Sequence, residues 1–209
     1  MPVDPFYRVD FADGSSFDFV GEEDRLLAQI EAMSPRDVDG YRRLADHARR
    51  IFERGYTELA HVPFDTVGDM LRIAPDLLKL RCHKSVYSLV SDYIRDERLR
   101  QVFTFEPLLI GGNPFRASGI YLLIHWLERK WGVYFPIGGT GSLIKGLVGL
   151  VEGQGGQVRC SSGVKQINVK DGKAVGVTLE NGEVLDADVV VSNADSGTTY
   201  RHLIAPEHR

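Results

Sequence analysis

From Phe6 to Phe11 and from Ser16 to Val20, apolar and polar residues alternate with the period of a half-buried strand. Asp13-Gly14 between them has the chemistry of a tight hairpin turn. The period then lengthens. Leu26, Leu27 and Ile30 share one face of a helix predicted over about Glu22 to Met33. Ser34-Pro35 restarts the helical pattern: serine caps, proline takes the first position, and Asp37 completes a capping-box-like motif. That second helix is predicted to reach about Arg54 and to bury Tyr41, Leu44, Ala48, Ile51 and Phe52. Phe64 to Phe105 reads as several short helices, capped by Thr66, Ser85 and Asp96, the first interrupted at Pro75. Gly111-Gly112-Asn113-Pro114 is a loop, and Ser118 to Trp131 is helical again.

After Pro136 the character changes. Gly138-Gly139-Thr140-Gly141 opens a helix striped by Leu143, Leu147, Leu150 and Val151, which Gly155-Gly156 ends. Gln157 to Ser161 is a predicted strand. Val164 to Val169 and Ala174 to Glu180 are predicted to pair across Asp171-Gly172, and Asn181-Gly182 makes a second tight turn. Three consecutive valines in Asp188 to Ser192 read as a strand buried on both faces. The fold class is therefore α/β, or α+β by content. Residues 1–21 are strands, residues 22–135 a helical block, and residues 136–209 an α/β piece. The order suggests one α/β domain with the helical block inserted into it.

Composition narrows the partners. With 209 residues, 43% of them hydrophobic, the chain has enough apolar surface for one large core or two small ones. A formal charge of -4 gives no basic excess for nucleic acid. Two cysteines are too few for a disulfide framework. Cys160 shares its predicted strand face with Val158 and reads as a core thiol; Cys82 beside His83 lacks a second ligand pair, so no metal site is expected. The six histidines show no ligand spacing, and no Ser-His-Asp or Cys-His arrangement stands out. His125, between Ile124 and Trp126, is either a core histidine or one that faces a ligand. No run approaches the roughly 18 to 20 apolar residues of a membrane span. The opening MPVDPFYRVDFADG has no secretory pattern, and a reducing, cytoplasmic setting fits.

Six segments carry a family resemblance: PFYRVDFADG, SPRDVDGYRRL, VPFDTVGDMLRIAPDLLKL, LRQVFTFEPLLIGGNPF, SGIYLLIHWLERKWGVYFPIGGTGSL and VVVSNAD followed by Tyr200-Arg201. Through them the whole chain resembles the central part of bacterial phytoene desaturases, within the flavin amine-oxidase-like superfamily. The resemblance implies FAD as cofactor and phytoene and other carotenes as substrates. It also implies part of an FAD-binding Rossmann-like domain with an inserted, mostly helical substrate and membrane domain. The chain departs from the family in one respect: no strand, G-x-G-x-x-G turn and helix for the flavin pyrophosphate occurs in it. The resemblance thus implies a central fragment of a longer flavoenzyme, and this stretch alone is expected neither to hold FAD nor to turn over phytoene.

In such enzymes the flavin accepts the hydride, and the protein positions a long apolar substrate beside it. The apolar residues of the helical block, Phe103 to Phe115 and Tyr121 to Trp126, suit either a tunnel or a core. Asp69 and Arg72 lie three apart, close enough on a helix to touch. The resemblance makes them candidates for proton removal or charge stabilisation near the flavin, whereas Thr66-x-x-Asp69 is equally a capping box. Val164, in V-x-x-I to Ile167, is the implied backbone contact to the adenine end of FAD. A substrate this apolar implies a membrane surface as partner, with the enzyme cytoplasmic and peripherally bound. Aromatic and basic residues of Ser118 to Phe135 either serve that contact or form a buried helix. Oxygen or a quinone is the expected electron acceptor. The competing readings are a carotenoid 3,4-desaturase, an isomerase, or a non-catalytic isoprenoid-binding protein without flavin.

Overall fold

A computed structural model describes residues 1–209 and divides them into two compact units, Met1–Thr140 and Gly141–Arg209. In the first, β1 (Tyr7–Asp10) pairs antiparallel with β2 (Ser16–Phe19), Tyr7 opposite Phe19 and Asp10 opposite Ser16. The turn forms because Asp13 Oδ1 accepts the Ser15 N–H at 2.9 Å and Gly14 takes a left-handed φ of 81°. Alternation then sends Phe17 and Phe19 inward, both without exposed surface.

Helix α1 (Glu23–Met33) buries Leu26 and Ile30 and leads to α2 (Val38–Phe52), which buries the predicted stripe of Tyr41, Leu44, Ala48, Ile51 and Phe52. Each large side chain so buried contributes about 1.5–3 kcal/mol, so α2 is the largest single source of core in this unit. Its start differs from expectation. Pro35 to Asp37 form a 3₁₀ turn, and no side chain caps the backbone there. Ser34 Oγ instead donates to Asp37 Oδ2 at 2.8 Å, and Asp37 accepts the Arg95 and Asp96 N–H groups at 2.8 and 2.9 Å. These bonds hold its carboxyl below the usual range against the opposing effect of burial. A long-range tie has taken the place of a local cap. Past Phe52 the chain continues as a π-helical turn, Glu53–Glu58.

Helix α3 (Val67–Lys79) runs through Pro75 rather than breaking at it. The missing proline N–H would have served the carbonyl of Leu71, an exposed residue whose backbone water reaches. Helices α4 (Val86–Ser91) and α5 (Glu97–Phe103) are capped by Ser85 and Asp96, as the sequence predicts. The segment from Ser118 splits into a 3₁₀ turn, Gly119–Leu122, and α6 (Leu123–Trp131).

Helix α7 (Thr140–Gly153) forms where the glycine-rich opening places it, but its stripe of Leu143, Leu147, Leu150 and Val151 is exposed. In the second unit β3 (Val164–Lys170), β4 (Lys173–Leu179) and β5 (Val184–Asp186) make an antiparallel meander. Asp171 and Gly172 take φ of 49° and 75°, the positive pair that a two-residue hairpin turn requires. Two predicted strands are absent. Gln157 to Ser161 is irregular, and Cys160 is exposed rather than a core thiol. Asp188 to Ser192 is also irregular, with Val189 75% and Val191 88% exposed. A strand needs a neighbour to take its N–H and C=O groups, and none of β1 to β5 pairs with either segment.

Gly40 of α2 lies so close to the next segment that an added Cβ would sit 2.2 Å from the Tyr93 carbonyl oxygen. Gly40→Ala is expected to lower unfolding stability by about 1–3 kcal/mol through overpacking. Gly146→Ala in α7, where a Cβ meets nothing within 4 Å, should be neutral or stabilising by about 0.5–1 kcal/mol. Chemical denaturation of both variants checks the pair.

Candidate functional site

The sequence-predicted residues fall in different units: Asp69 and Arg72 in Met1–Thr140, Val164 in Gly141–Arg209. Asp69 is the third residue of α3, and its capping box is complete. Thr66 Oγ1 accepts the Asp69 N–H at 3.2 Å, and Asp69 Oδ2 accepts the Thr66 N–H at 3.1 Å and its hydroxyl at 2.7 Å. Arg72 donates to Asp69 Oδ1 at 3.4 Å. The Thr66 hydroxyl and backbone bonds, with Arg72 adding to them, hold the Asp69 carboxyl below its ordinary range. The pair touches as the spacing predicts, and Asp69 is ionised and oriented at neutral pH.

The same helix closes an apolar cleft of about 240 Å³. Met70, Ile73 and Leu77 of α3 face Ile51 of α2, Leu59 and Phe64 of the following segment, and Ile120. Its charged members, Arg54 and Asp76, neutralise each other at 2.5 Å. Cys82 also lines it, and burial pushes its thiol up to about 11, so it stays an uncharged, apolar surface. Asp69 and Arg72 therefore sit on the helix that walls a cleft suited to hydrocarbon. Of the other tunnel candidates, Phe103 is fully buried, while Leu108, Leu109, Ile110 and Phe115 are exposed.

Val164 begins β3, which is an edge strand of the meander. Gly163 O accepts the Glu180 N–H at 2.8 Å, and the Leu179 N–H turns to Glu183 at 2.8 Å. Backbone groups alternate along a strand, so Val164, opposite Leu179, presents its own N–H and C=O to the unpaired edge. Val164 also borders an apolar groove with Ile167, Val177, Val190, Val191 and Leu203. A flat heterocycle needs apolar walls and a backbone edge, so these residues fit the adenine end of a flavin dinucleotide.

In Ser118 to Phe135, Trp126 packs against the core, while Trp131, Tyr134 and Phe135 are exposed. No helix is long and apolar enough to cross a membrane. His125 is a core residue bonded to Tyr41. Sequence reasoning passed over two carboxyls. Glu106 is fully buried and Glu128 nearly so. The available signal for Glu106 was a lone acid between Phe105 and Pro107 at the head of an apolar run.

The family model described as flavin containing amine oxidoreductase matches residues 1–209. The chain belongs to that family, and its mixed helices and small sheets agree. Among curated relatives it is 47% identical over 204 residues to the lycopene-forming phytoene desaturase of Pseudescherichia vulneris, and 48% over 205 residues to that of Pantoea ananas. Each alignment covers 98% of this chain and 42% of the relative. The neurosporene-forming phytoene desaturase of Rhodobacter capsulatus is 37% identical, covering 100% of this chain and 40% of that protein. The chain thus spans about two-fifths of the length of these relatives.

Val164→Pro should leave the meander folded, because its N–H faces the open edge, where proline is tolerated. A loss of about 3 kcal/mol or more in thermal or urea unfolding would show instead that this N–H pairs with β4.

Proposed function

We propose that this chain is part of an FAD-dependent phytoene desaturase that introduces double bonds into phytoene and forms lycopene. The observation that carries this is the similarity to phytoene desaturases along 98% of the chain, 47–48% for the lycopene-forming relatives against 37% for the neurosporene-forming one. The apolar cleft beside α3 gives a reason why a hydrocarbon would bind here.

Each desaturation removes a hydride from one carbon and a proton from its neighbour, and FAD, when bound, supplies the two-electron acceptor. The cleft of about 240 Å³ is smaller than a forty-carbon chain, so it would take one end of the polyene and exclude water from it. Asp69, kept ionised by Thr66 and Arg72, would accept the proton or stabilise positive charge on the polyene. Arg72 would hold the carboxylate in place. Val164 would offer its backbone edge to the adenine. The helical block would form the substrate and membrane-facing part, inserted into the flavin domain. Peripheral attachment to a bilayer follows from the substrate, which does not travel through water. The electrons would pass on to oxygen or a quinone.

The test is product analysis with the full-length protein in a host that makes phytoene. Lycopene as end product supports the reading. Neurosporene alone would overturn the lycopene assignment, and unconverted phytoene would overturn the desaturase itself. Two variants separate chemistry from capping. Thr66→Ala removes the cap and one of the bonds that hold Asp69, and should lower stability by about 1 kcal/mol and the rate per folded molecule by less than threefold, because Arg72 and the Thr66 N–H still hold the carboxylate. Asp69→Asn should lower that rate at least tenfold. Equal rates in both variants, measured against folded, flavin-loaded protein, would make Asp69 purely structural.

A further inference from the structure

The core of Met1–Thr140 holds a group of polar side chains for which the desaturase reading has no use. Glu106 opens the 3₁₀ turn Glu106–Ile110 and has no exposed surface, yet neither carboxyl oxygen has a hydrogen-bond partner. His125, equally buried, places Nδ1 3.6 Å from Glu106 Oε1 and Nε2 3.1 Å from the Tyr41 hydroxyl. Arg129 donates to that hydroxyl at 2.7 Å and reaches Glu23 at 3.2 Å. The Tyr7 hydroxyl and Glu128 Oε2 are also buried and unpartnered. Phe19 and Phe103 close the site, edge-on to His125 at 5.2 and 5.6 Å.

The proton positions follow from the donors. Because Tyr41 O accepts from Arg129, its own O–H is free to donate to His125 Nε2. The imidazole proton then sits on Nδ1, aimed at Glu106 across a gap long for a hydrogen bond. An ionised carboxylate without exposed surface or a close donor is far costlier than a neutral carboxyl. Burial accordingly pushes Glu106 up to about 8 and His125 down to about 3. Burial, with the charge of Glu106 added, lifts Glu128 to about 7. Tyr7 is raised by burial and by the two glutamates.

We propose that this group is a proton-locked joint. A single proton on Glu106 keeps hairpin β1–β2, α2, α6 and the turn Glu106–Ile110 packed together, and its loss at alkaline pH releases the turn. That turn carries Leu108, Leu109 and Ile110, each more than half exposed, so the lock governs how an apolar ridge is presented. The joint is independent of the desaturase reading.

The sign is fixed by linkage. Glu106 binds its proton more tightly folded than unfolded. Its stabilisation is complete below the unfolded value of 4.5 and is lost as pH rises through about 8, up to tenfold in the folding equilibrium per pH unit. Glu128 acts in the same direction up to about 7. Neutral His125 opposes them only below 6.5, so it does not shape the alkaline side. The stabilisation from Tyr7 is complete below 10 and begins to be lost only above it.

The test compares the full-length protein with Glu106→Gln and Glu128→Gln between pH 7 and pH 9, where Glu128 has given up most of its contribution. Protection of the Gly111 and Gly112 amides, which donate to Leu108 and Pro107 at 3.0 and 2.8 Å, is read by hydrogen exchange corrected for intrinsic rates. Protection in the parent and in Glu128→Gln should fall at least tenfold, and in Glu106→Gln less than threefold. Parallel profiles in all three would overturn the proposal. Should Glu106→Gln not fold, infrared difference spectra of Glu128→Gln decide. A protonated-carboxyl band that disappears near pH 8 supports the lock, and no such band at pH 6 overturns it.

Discussion

Burial of the α2 stripe is the constraint on which the first unit depends. Tyr41, Leu44, Ala48, Ile51 and Phe52 make one continuous face, which α6 and Phe103 of α5 meet directly. Phe17 and Phe19 reach it through Phe103, whose ring lies 5.0 Å from Tyr41. Once these rings are packed, every polar group on the enclosed faces is desolvated with them. Tyr41 both packs its ring against Phe103 and His125 and serves as the acceptor for Arg129 and partner of His125. Apolar packing and the buried polar group are thus one structure, and disturbing either disturbs the other.

That core also supports the candidate chemistry. The C-terminal end of α2 supplies Ile51 to the cleft, the π-helical turn supplies Arg54 and Gly55, and α3 closes the opposite wall. A capping box orients Asp69 on α3, so the same bonds that start the helix fix the carboxylate. In the second unit the meander leaves β3 at an edge, and the unpaired backbone of Val164 follows from strand order alone.

Local signals were the legible ones. Asp13-Gly14, Asp171-Gly172 and the caps Thr66, Ser85 and Asp96 formed as read, because each is decided by neighbours within a few residues, and the α2 stripe because its period of apolar residues marks the face to be buried whatever covers it. Contacts distant in sequence were not legible. Asp37 looked like a cap, but the Arg95 and Asp96 amides claim it from 58 and 59 residues away. Pro75 looked like a break, but exposure at Leu71 lets α3 continue. Three valines after Asp188 look like a buried strand, yet sequence alone does not say whether a neighbouring strand is present. Glu106 was hidden for the same reason: nothing local distinguishes a solvated glutamate from one fully buried beside His125. Of the site, the contact of Asp69 with Arg72 was legible from spacing, while the cleft beside them emerged only when distant helices met.

Under the proposed function, carotene electrons pass to a flavin held by the protein of which this chain is part. Anaerobic addition of phytoene to the purified, flavin-loaded full-length protein tests it most directly. The oxidised-flavin absorbance should bleach with about one equivalent of substrate oxidised per flavin. An unchanged flavin spectrum, with phytoene shown to be bound, would contradict it.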